Sequence, residues 1–317
     1  MPTFSVIIPT YNSERFIAET VDSVRRQSID DWELIVVDDG STDGTAEIIA
    51  DLVDSRIQVH RQANAGGTIA RQNGFLRATA EWVIFLDHDD RLMPDAFARY
   101  VEAIAMQPEA VAHYGERVLI DRHGWRYGAR PGRTVAGKPE GDVLYEALAL
   151  QFITTVGQVC VRAQALVEVG GFPSAGDVAN DWALWCLLAT AGPFHHLGDG
   201  PVLEYRRHSA NMGLRILDPE PGPPNIDGLK KSMRFIFDHE RIRPLLSPEL
   251  RRRCWRKREA NCYRFKGVMG LRAGAYAYAR RYFWEALKRE PGHFANIAGF
   301  AIAAMPPLRP LFNRFAG

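Results

Sequence analysis

Short apolar runs, each ending in a polar turn and followed by apolar residues three and four apart, open the chain four times over. Phe4 to Ile8 (FSVII) reads as a buried strand stopped by Pro9, which cannot donate to a ladder. Thr10 to Ser13 form a polar turn with Asn12 or Ser13 available as cap, and Phe16, Ile17, Val21 and Val24 mark one face of a helix over 14–26. The unit repeats as a strand from Glu33 to Val37 (ELIVV), a turn from Asp38 to Asp43 (DDGSTD) and a helix over 45–53. Gly40 suits a positive-φ turn there, and Ser41, Thr42 and Asp43 are natural caps. A third strand from Arg56 to His60 is broken by Asn64 to Gly67, and a helix through Ile69, Phe75 and Leu76 leads to a fourth strand, Trp82 to Leu86. Such alternation predicts right-handed crossovers and a mainly parallel sheet covered on both faces.

The rhythm then loosens. A helix over 94–106 is followed by a hairpin pattern at 118–120 and 125–127, and residues 128–141, rich in Gly, Arg and Pro, read as a long loop of the lid type. Residues 155–161 read as a strand, and a short helix ends at Gly170 and Gly171. Asp177 to Ala191 reads as a helix with Trp182, Trp185, Leu187 and Leu188 available for packing, and Pro201 to Arg206 as a last strand. Beyond the Pro-rich LDPEPGPPN at 217–225 the spacing is helical throughout, over 228–241, 248–268, 272–289 and 293–305.

Composition narrows the class. With 46% hydrophobic and 24% charged residues the chain has ample material for a core, and a net charge of +1 removes the global footprint of a nucleic-acid binder. Cys160, Cys186, Cys254 and Cys262 form no CxxC pair, which fits a reducing cytosol. No run reaches the roughly 18 apolar residues of a spanning helix, and no basic-then-apolar leader opens the chain. The reading is cytoplasmic. Basic runs at 251–258 (RRRCWRKR) and 279–281 (ARR), with the apolar end FANIAGFAIAAMPPLRPLFNRFAG, add two expectations for the tail. One is peripheral contact with the inner face of the cell membrane; the other is a helical-hairpin module, since 273–291 resembles a tetratricopeptide helix.

The densest chemistry lies at 82–91, WVIFLDHDDR. Asp87, Asp89 and Asp90 at a strand tip repel one another unless a cation or a donor-rich ligand neutralises them, and in open parallel sheets ligands sit beyond the carboxyl ends of the strands. The plainer reading is a solvated loop capping the next helix. The first turn, PTYNSE, lacks the glycine fingerprint of a dinucleotide site, which disfavours a nicotinamide dehydrogenase. A haloacid dehalogenase-type phosphatase would place its DxD near the first strand and a Thr or Val where Arg91 stands.

SVIIPTYN at 5–12, VVDDGSTDGT at 36–45, NAGGTIARQNG at 64–74, FLDHDD at 85–90, GGF at 170–172, DWALW at 181–185 and YRRHSAN at 205–211 follow one another in the order of the family 2 glycosyltransferases. The resemblance spans about 210 residues and implies a Rossmann-like GT-A domain of mainly parallel mixed sheet, α/β in class, followed by an all-helical C-terminal region. The boundaries expected are a nucleotide-sugar-binding catalytic domain over 1–216, a linker over 217–227 and a helical region over 228–317. The implied reaction is inverting transfer of a sugar from a nucleotide diphosphate to a hydroxyl of a cell-envelope polysaccharide or glycolipid.

By the same resemblance Pro9, Thr10 and Tyr11 line the nucleobase pocket, and Asp39 accepts from the base imide, which favours UDP-sugars and allows dTDP-sugars. One of Asp38 and Asp39 is expected only to cap the turn. Arg71 stands near base and diphosphate, Asp87 faces the ribose, and Asp89 holds Mg2+ or Mn2+, with His208 completing the coordination. Asp90 contacts the donor sugar or orients the acceptor, and His88 is a bystander. Asp181 at a helix start is the general base. Trp182 stacks on a sugar or packs a core. The family commonly has Glu before this Asp and often an acid two places after it, where this chain has Asn180 and Ala183. A non-catalytic nucleotide-sugar-binding module is the alternative, and a sugar nucleotidyltransferase is another, although its Gly-rich first turn is missing.

Overall fold

The computed structural model describes residues 1–127, 138–175, 179–208, 211 and 226–305. Contacts divide the chain into two compact units, Met1–Leu144 with Phe152–Arg207, and Tyr145–Gln151 with His208–Gly317. The linker expected over 217–227 lies outside the described residues except for its last two positions, and most of the loop expected over 128–141 lies outside them too.

In the first unit the apolar runs become β1 (Phe4–Thr10), β2 (Trp32–Asp38), β3 (Ile57–Arg61) and β4 (Trp82–Phe85), parallel to one another. After β5 (Arg91–Leu92) come β6 (Ala112–Ile120), β7 (Arg126–Tyr127), β8 (Val159–Arg162) and β9 (Phe194–Arg206). The sheet runs β3-β2-β1-β4-β8-β6-β9-β5, with β7 paired to β6 and β8 antiparallel to both its neighbours. This is the mainly parallel mixed sheet expected.

Pro9 does not end β1. It pairs with Val37 on β2, while β4 has already left the β1 ladder after Phe85, so the missing N–H falls where one side of the strand carries no partner strand. Strand β9 is longer than the sequence suggested because Gly198 and Gly200, both at positive φ, are taken up in a bulged pairing with β6.

Helices α1 (Ile17–Arg25), α2 (Thr45–Ala50) and α4 (Ala96–Met106) bury Val21, Val24, Ile49, Phe97 and Tyr100 against Phe4, Val6, Leu34 and Ile84 of the sheet. Neither Asn12 nor Ser13 caps α1 through its side chain; the Ser13 carbonyl accepts from Phe16 and Ile17 instead. Helix α3 (Gly67–Phe75) packs against β1 and β2 with Ala70 on Ile35 and Val37. Its Gly74 lies so close to β1 that a Cβ would collide with Ile7. Helices α6 (Ala163–Glu168) and α7 (Asn180–Leu188) complete the α/β part, whereas α5 (Leu144–Ala149) belongs, apart from Leu144, to the second unit.

The second unit is helical, as expected: α8 (Ile226–Asp238), α9 (Pro248–Arg272), α10 (Tyr276–Arg289) and α11 (Phe294–Ala304). Ser247 caps α9 by accepting from Leu250 N, with Pro248 in the first turn. Much of the basic run at 251–258 is used inside the unit. Arg251 binds the Phe237 carbonyl and Asp238, Arg253 and Lys257 lie over Tyr145, Arg256 donates to the Arg289 carbonyl and Arg258 to Gln151. No described helix is long and apolar enough to cross a membrane.

Candidate active site

Strands β1, β2 and β4 end side by side, so their C-terminal turns gather PTYN, DDGST and DHDD at one edge of the sheet. Thr10 is buried and bonded to Ser13, Tyr11 is exposed at the tip, and the Pro9 carbonyl lies 3.3 Å from His88 Nδ1. The ring of His88 therefore ties the acid turn to β1.

The two aspartates of the second turn differ. Asp38 accepts from Ser41 N at 2.9 Å through Oδ1, the turn-capping role expected of one of the pair. Asp39 is also buried, and its carboxylate reaches across to the segment before α3. Oδ1 accepts from Gln62 Nε2 and Ala65 N, and Oδ2 from Gly66 N, each at 2.8 Å. A carboxylate oxygen can accept two bonds, so Oδ2 keeps one acceptor position for a further donor.

Helix α3 organises the rest. Arg71 is ion-paired with Asp87 and lies over the ring of Phe172 at 5.3 Å. Gln72 accepts from Phe172 N at 2.7 Å, Asn73 donates to Gln62 at 2.7 Å, and Thr68 accepts from Asn180 Nδ2 at 2.9 Å. One helix thus fixes the second turn, the GGF segment and the start of α7. Sequence reasoning singled out Arg71 alone; Thr68 stands three residues before it and Gln72 and Asn73 directly after it, but their partners lie up to 112 residues away.

At the acid turn Asp89 and Asp90 are buried and Asp87 is half-buried. Asp90 Oδ1 accepts from Arg206 N at 2.8 Å, whereas Oδ2 is buried without a hydrogen-bond partner. Burial, reinforced by Asp89 and Asp87, pushes the Asp90 carboxyl well above the usual carboxylate range. The guanidinium of Arg206, itself fully buried, donates to the Asp89 carbonyl at 2.8 Å and to Glu19 at 2.7 Å, which holds the turn in shape. Tyr205 is pushed up to about 12 by burial and by Asp90, Asp87 and Asp89. Arg117, half-buried on β6 and bonded through Nε to Thr154 at 2.6 Å, lies over the Tyr205 ring at 4.8 Å and feels the Asp90 charge. Arg117 and Tyr205 were missed as members of this surround, because an arginine in a strand carries no signal until the fold places it.

Among the described residues no three His, Cys, Asp or Glu side chains gather as a ready-made metal centre. The donor set still fits a hard divalent cation. Mg2+ and Mn2+ at phosphate-handling sites take one or two carboxylates and draw their remaining ligands from phosphate and water. A buried, unpartnered Asp90 oxygen beside Asp87 and Asp89 is the kind of uncompensated oxygen cluster that such a charge would settle. His208, nominated as the completing ligand, falls in the second unit, where its N–H donates to Asn211 at 2.5 Å.

Asp181 stands half-buried in the first turn of α7, where its Oδ1 accepts from Trp182 N at 2.7 Å. Asn180, the departure from the family pattern, bridges Ala175 N and Thr68 and so anchors the helix start. Trp182 is 1% exposed. Its ring is enclosed in the core with no face open to a sugar, and the packing reading is the one its position fits.

A mainly parallel mixed α/β sheet whose acid-tipped strand ends beside an arginine has the GT-A architecture. The chain belongs to glycosyl transferase family 2, whose model matches residues 5–166. A Bacillus subtilis (strain 168) protein named for teichuronic acid biosynthesis, the glycosyltransferase TuaG, is 42% identical over 104 residues, covering 32% of this chain and 41% of the relative. The match thus spans less than half the length of that relative. S. aureus TarS 1–349 in complex with UDP-GlcNAc superposes with a TM-score of 0.57 at 18% identity, covering 93% of each chain. The mannosyltransferase PcManGT from Pyrobaculum calidifontis, in complex with GDP-Man and Mn2+, gives 0.59 at 20% identity, covering 99% of this chain and 83% of that one. At such identities these likenesses speak for the fold.

Proposed function

We propose that the chain is an inverting glycosyltransferase that moves a sugar from a nucleoside diphosphate, uridine favoured and thymidine allowed, to a hydroxyl of a cell-envelope glycan or lipid-linked acceptor. The observation that carries this reading is the turn after β4, which brings three aspartates within four residues, with Arg71 paired to Asp87 and a buried unpartnered oxygen on Asp90. The base enters beside Pro9, Thr10 and Tyr11, and its imide N–H donates to the open position on Asp39. Arg71, ion-paired with Asp87, turns toward the diphosphate while Asp87 accepts from the ribose. Asp89 would hold Mn2+ or Mg2+, which supplies positive charge to the leaving diphosphate; the proposal rests on Asp89 rather than on His208. Asp90 orients the donor sugar or the acceptor through the oxygen that has no partner.

Asp181 accepts the proton of the acceptor hydroxyl as its oxygen bonds to the anomeric carbon and the bond to the diphosphate breaks, which inverts that carbon. The positive end of α7 keeps the carboxylate ionised and ready. The name of the teichuronic acid relative supports an envelope acceptor, and the nucleotide sugars bound by the two structural neighbours support the donor class. Work at the inner face of the cell membrane, through the helical unit, completes the proposal.

The test is a panel of nucleotide sugars with Mn2+, following release of nucleoside diphosphate with and without candidate acceptors. Acceptor-stimulated release from a UDP-sugar supports the reading. Tight nucleotide binding with no release under any acceptor would make the chain a binding module.

A further inference from the structure

Helix α11 carries no charged residue and is apolar on two sides. Asn296, Gly299 and Ala303 turn inward, and a side chain at Gly299 would collide with the Phe283 ring of α10. Phe294, Ile297 and, just past the helix end, Met305 follow the same spacing on another side and are exposed, Phe294 at 80%. A helix that is apolar all round belongs in a core or against lipid.

Beside it, Ala277, Arg280, Arg281 and Trp284 of α10 line, with Phe300, a hollow of about 300 Å3. Trp284 lies against Phe300 at 5.7 Å between ring centroids and is nevertheless 52% exposed. Lys288 and Arg289 of the same helix are ion-paired with Glu285. Arg280 and Arg281 are exposed and have no ion pair or hydrogen bond among the described residues. Two uncompensated cations therefore line, with Phe300 and an exposed indole, one hollow beside α11.

We propose that this face docks on an anionic bilayer surface, with Arg280 and Arg281 meeting lipid phosphates and Trp284, Phe294 and Ile297 entering the headgroup region. The proposal rests on the peripheral contact suggested above and names its surface. Charge argues against a second copy of this chain as the occupant, because a two-fold interface would press this positive patch against an identical positive patch.

The test floats the full-length protein with vesicles of phosphatidylcholine alone or in equal mixture with phosphatidylglycerol, at about 0.1 M salt. Wild type should float with the anionic vesicles only and be released by high salt. Each arginine near an anionic surface contributes roughly fivefold to partitioning, so Arg280→Gln with Arg281→Gln should weaken it roughly 30-fold. Trp284→Ala should weaken it separately, and all variants should keep the solution rate of nucleoside diphosphate release. Undiminished flotation of the variants would overturn this surface while leaving the peripheral reading in place. Absence of flotation for wild type would overturn both. Concentration-dependent self-association that the same substitutions remove, without flotation, would reassign the face to contacts between copies.

Discussion

Asparagine at position 39 would keep the shape of the aspartate and change only what one of its two ends can do. In the native chain three donors converge on the carboxylate, Gln62 Nε2 and Ala65 N on Oδ1 and Gly66 N on Oδ2. Asparagine offers one carbonyl oxygen and one amide nitrogen, and the cheaper orientation keeps the oxygen at Oδ1, where two donors are retained. The NH2 then faces the Gly66 N–H, and one charge-assisted bond is lost. Such bonds contribute about 1.5–3 kcal/mol, and because Gly66 is exposed, water can take over its N–H, which places the cost near 2 kcal/mol.

For a unit of this size the change corresponds to a fall in Tm of about 4 to 8 °C, read by calorimetry. The same NH2 meets the imide N–H of uracil, donor against donor, so UDP affinity should fall roughly 10- to 100-fold. Cytosine presents an acceptor at that ring nitrogen, so CDP should lose less, and titration calorimetry with both nucleotides should show the preference for UDP narrowing. Unchanged Tm would refute the anchoring role. Lowered Tm with unchanged UDP affinity would confine Asp39 to holding the 62–66 segment and move base recognition elsewhere.

Asp181→Asn should lower turnover by roughly 10²- to 10⁴-fold with nucleotide affinity nearly intact, and parallel loss of both would remove it as the base. Asp89→Ala should abolish activity together with its response to added Mn2+; surviving metal stimulation would send the cation to other ligands. His113 is buried on β6, and burial, then His195 and Arg162, holds its pKa down to about 4. Between that value and the ordinary one near 6.5 the unfolded chain binds a proton that the fold refuses, so stability should fall as pH is lowered through this window. The loss is on the order of 3 kcal/mol, and denaturation at pH 7 and pH 4 should show His113→Gln to be less pH-dependent than wild type.

The alternation of apolar runs with helical spacing was enough to determine the parallel half of the sheet, because each strand and its helix are neighbours in sequence and bury one another. It also placed the acid turn after β4, since a run as apolar as WVIFL has only its polar end to give to solvent. The family segments named Asp39, Arg71 and Asp87; in the fold Asp39 and Asp87 follow β2 and β4, and Arg71 reaches Asp87 from α3. Tertiary structure alone decided what each of them touches. That Asp39 holds the segment before α3, that Arg71 pairs with Asp87, and that Arg206 grips the acid turn from 116 residues further on depends on long-range approach that no local pattern encodes. Trp182 makes the same point from the other side. An aromatic at a helix start is compatible with a sugar platform or a core, and only the packing around it chooses between them. In the second unit the sequence showed two basic clusters as equals, whereas the fold spends much of the first on internal partners and leaves Arg280 and Arg281 of the second facing water. Charge pairing is a property of three-dimensional neighbours, so its surplus can be counted only after the chain has folded.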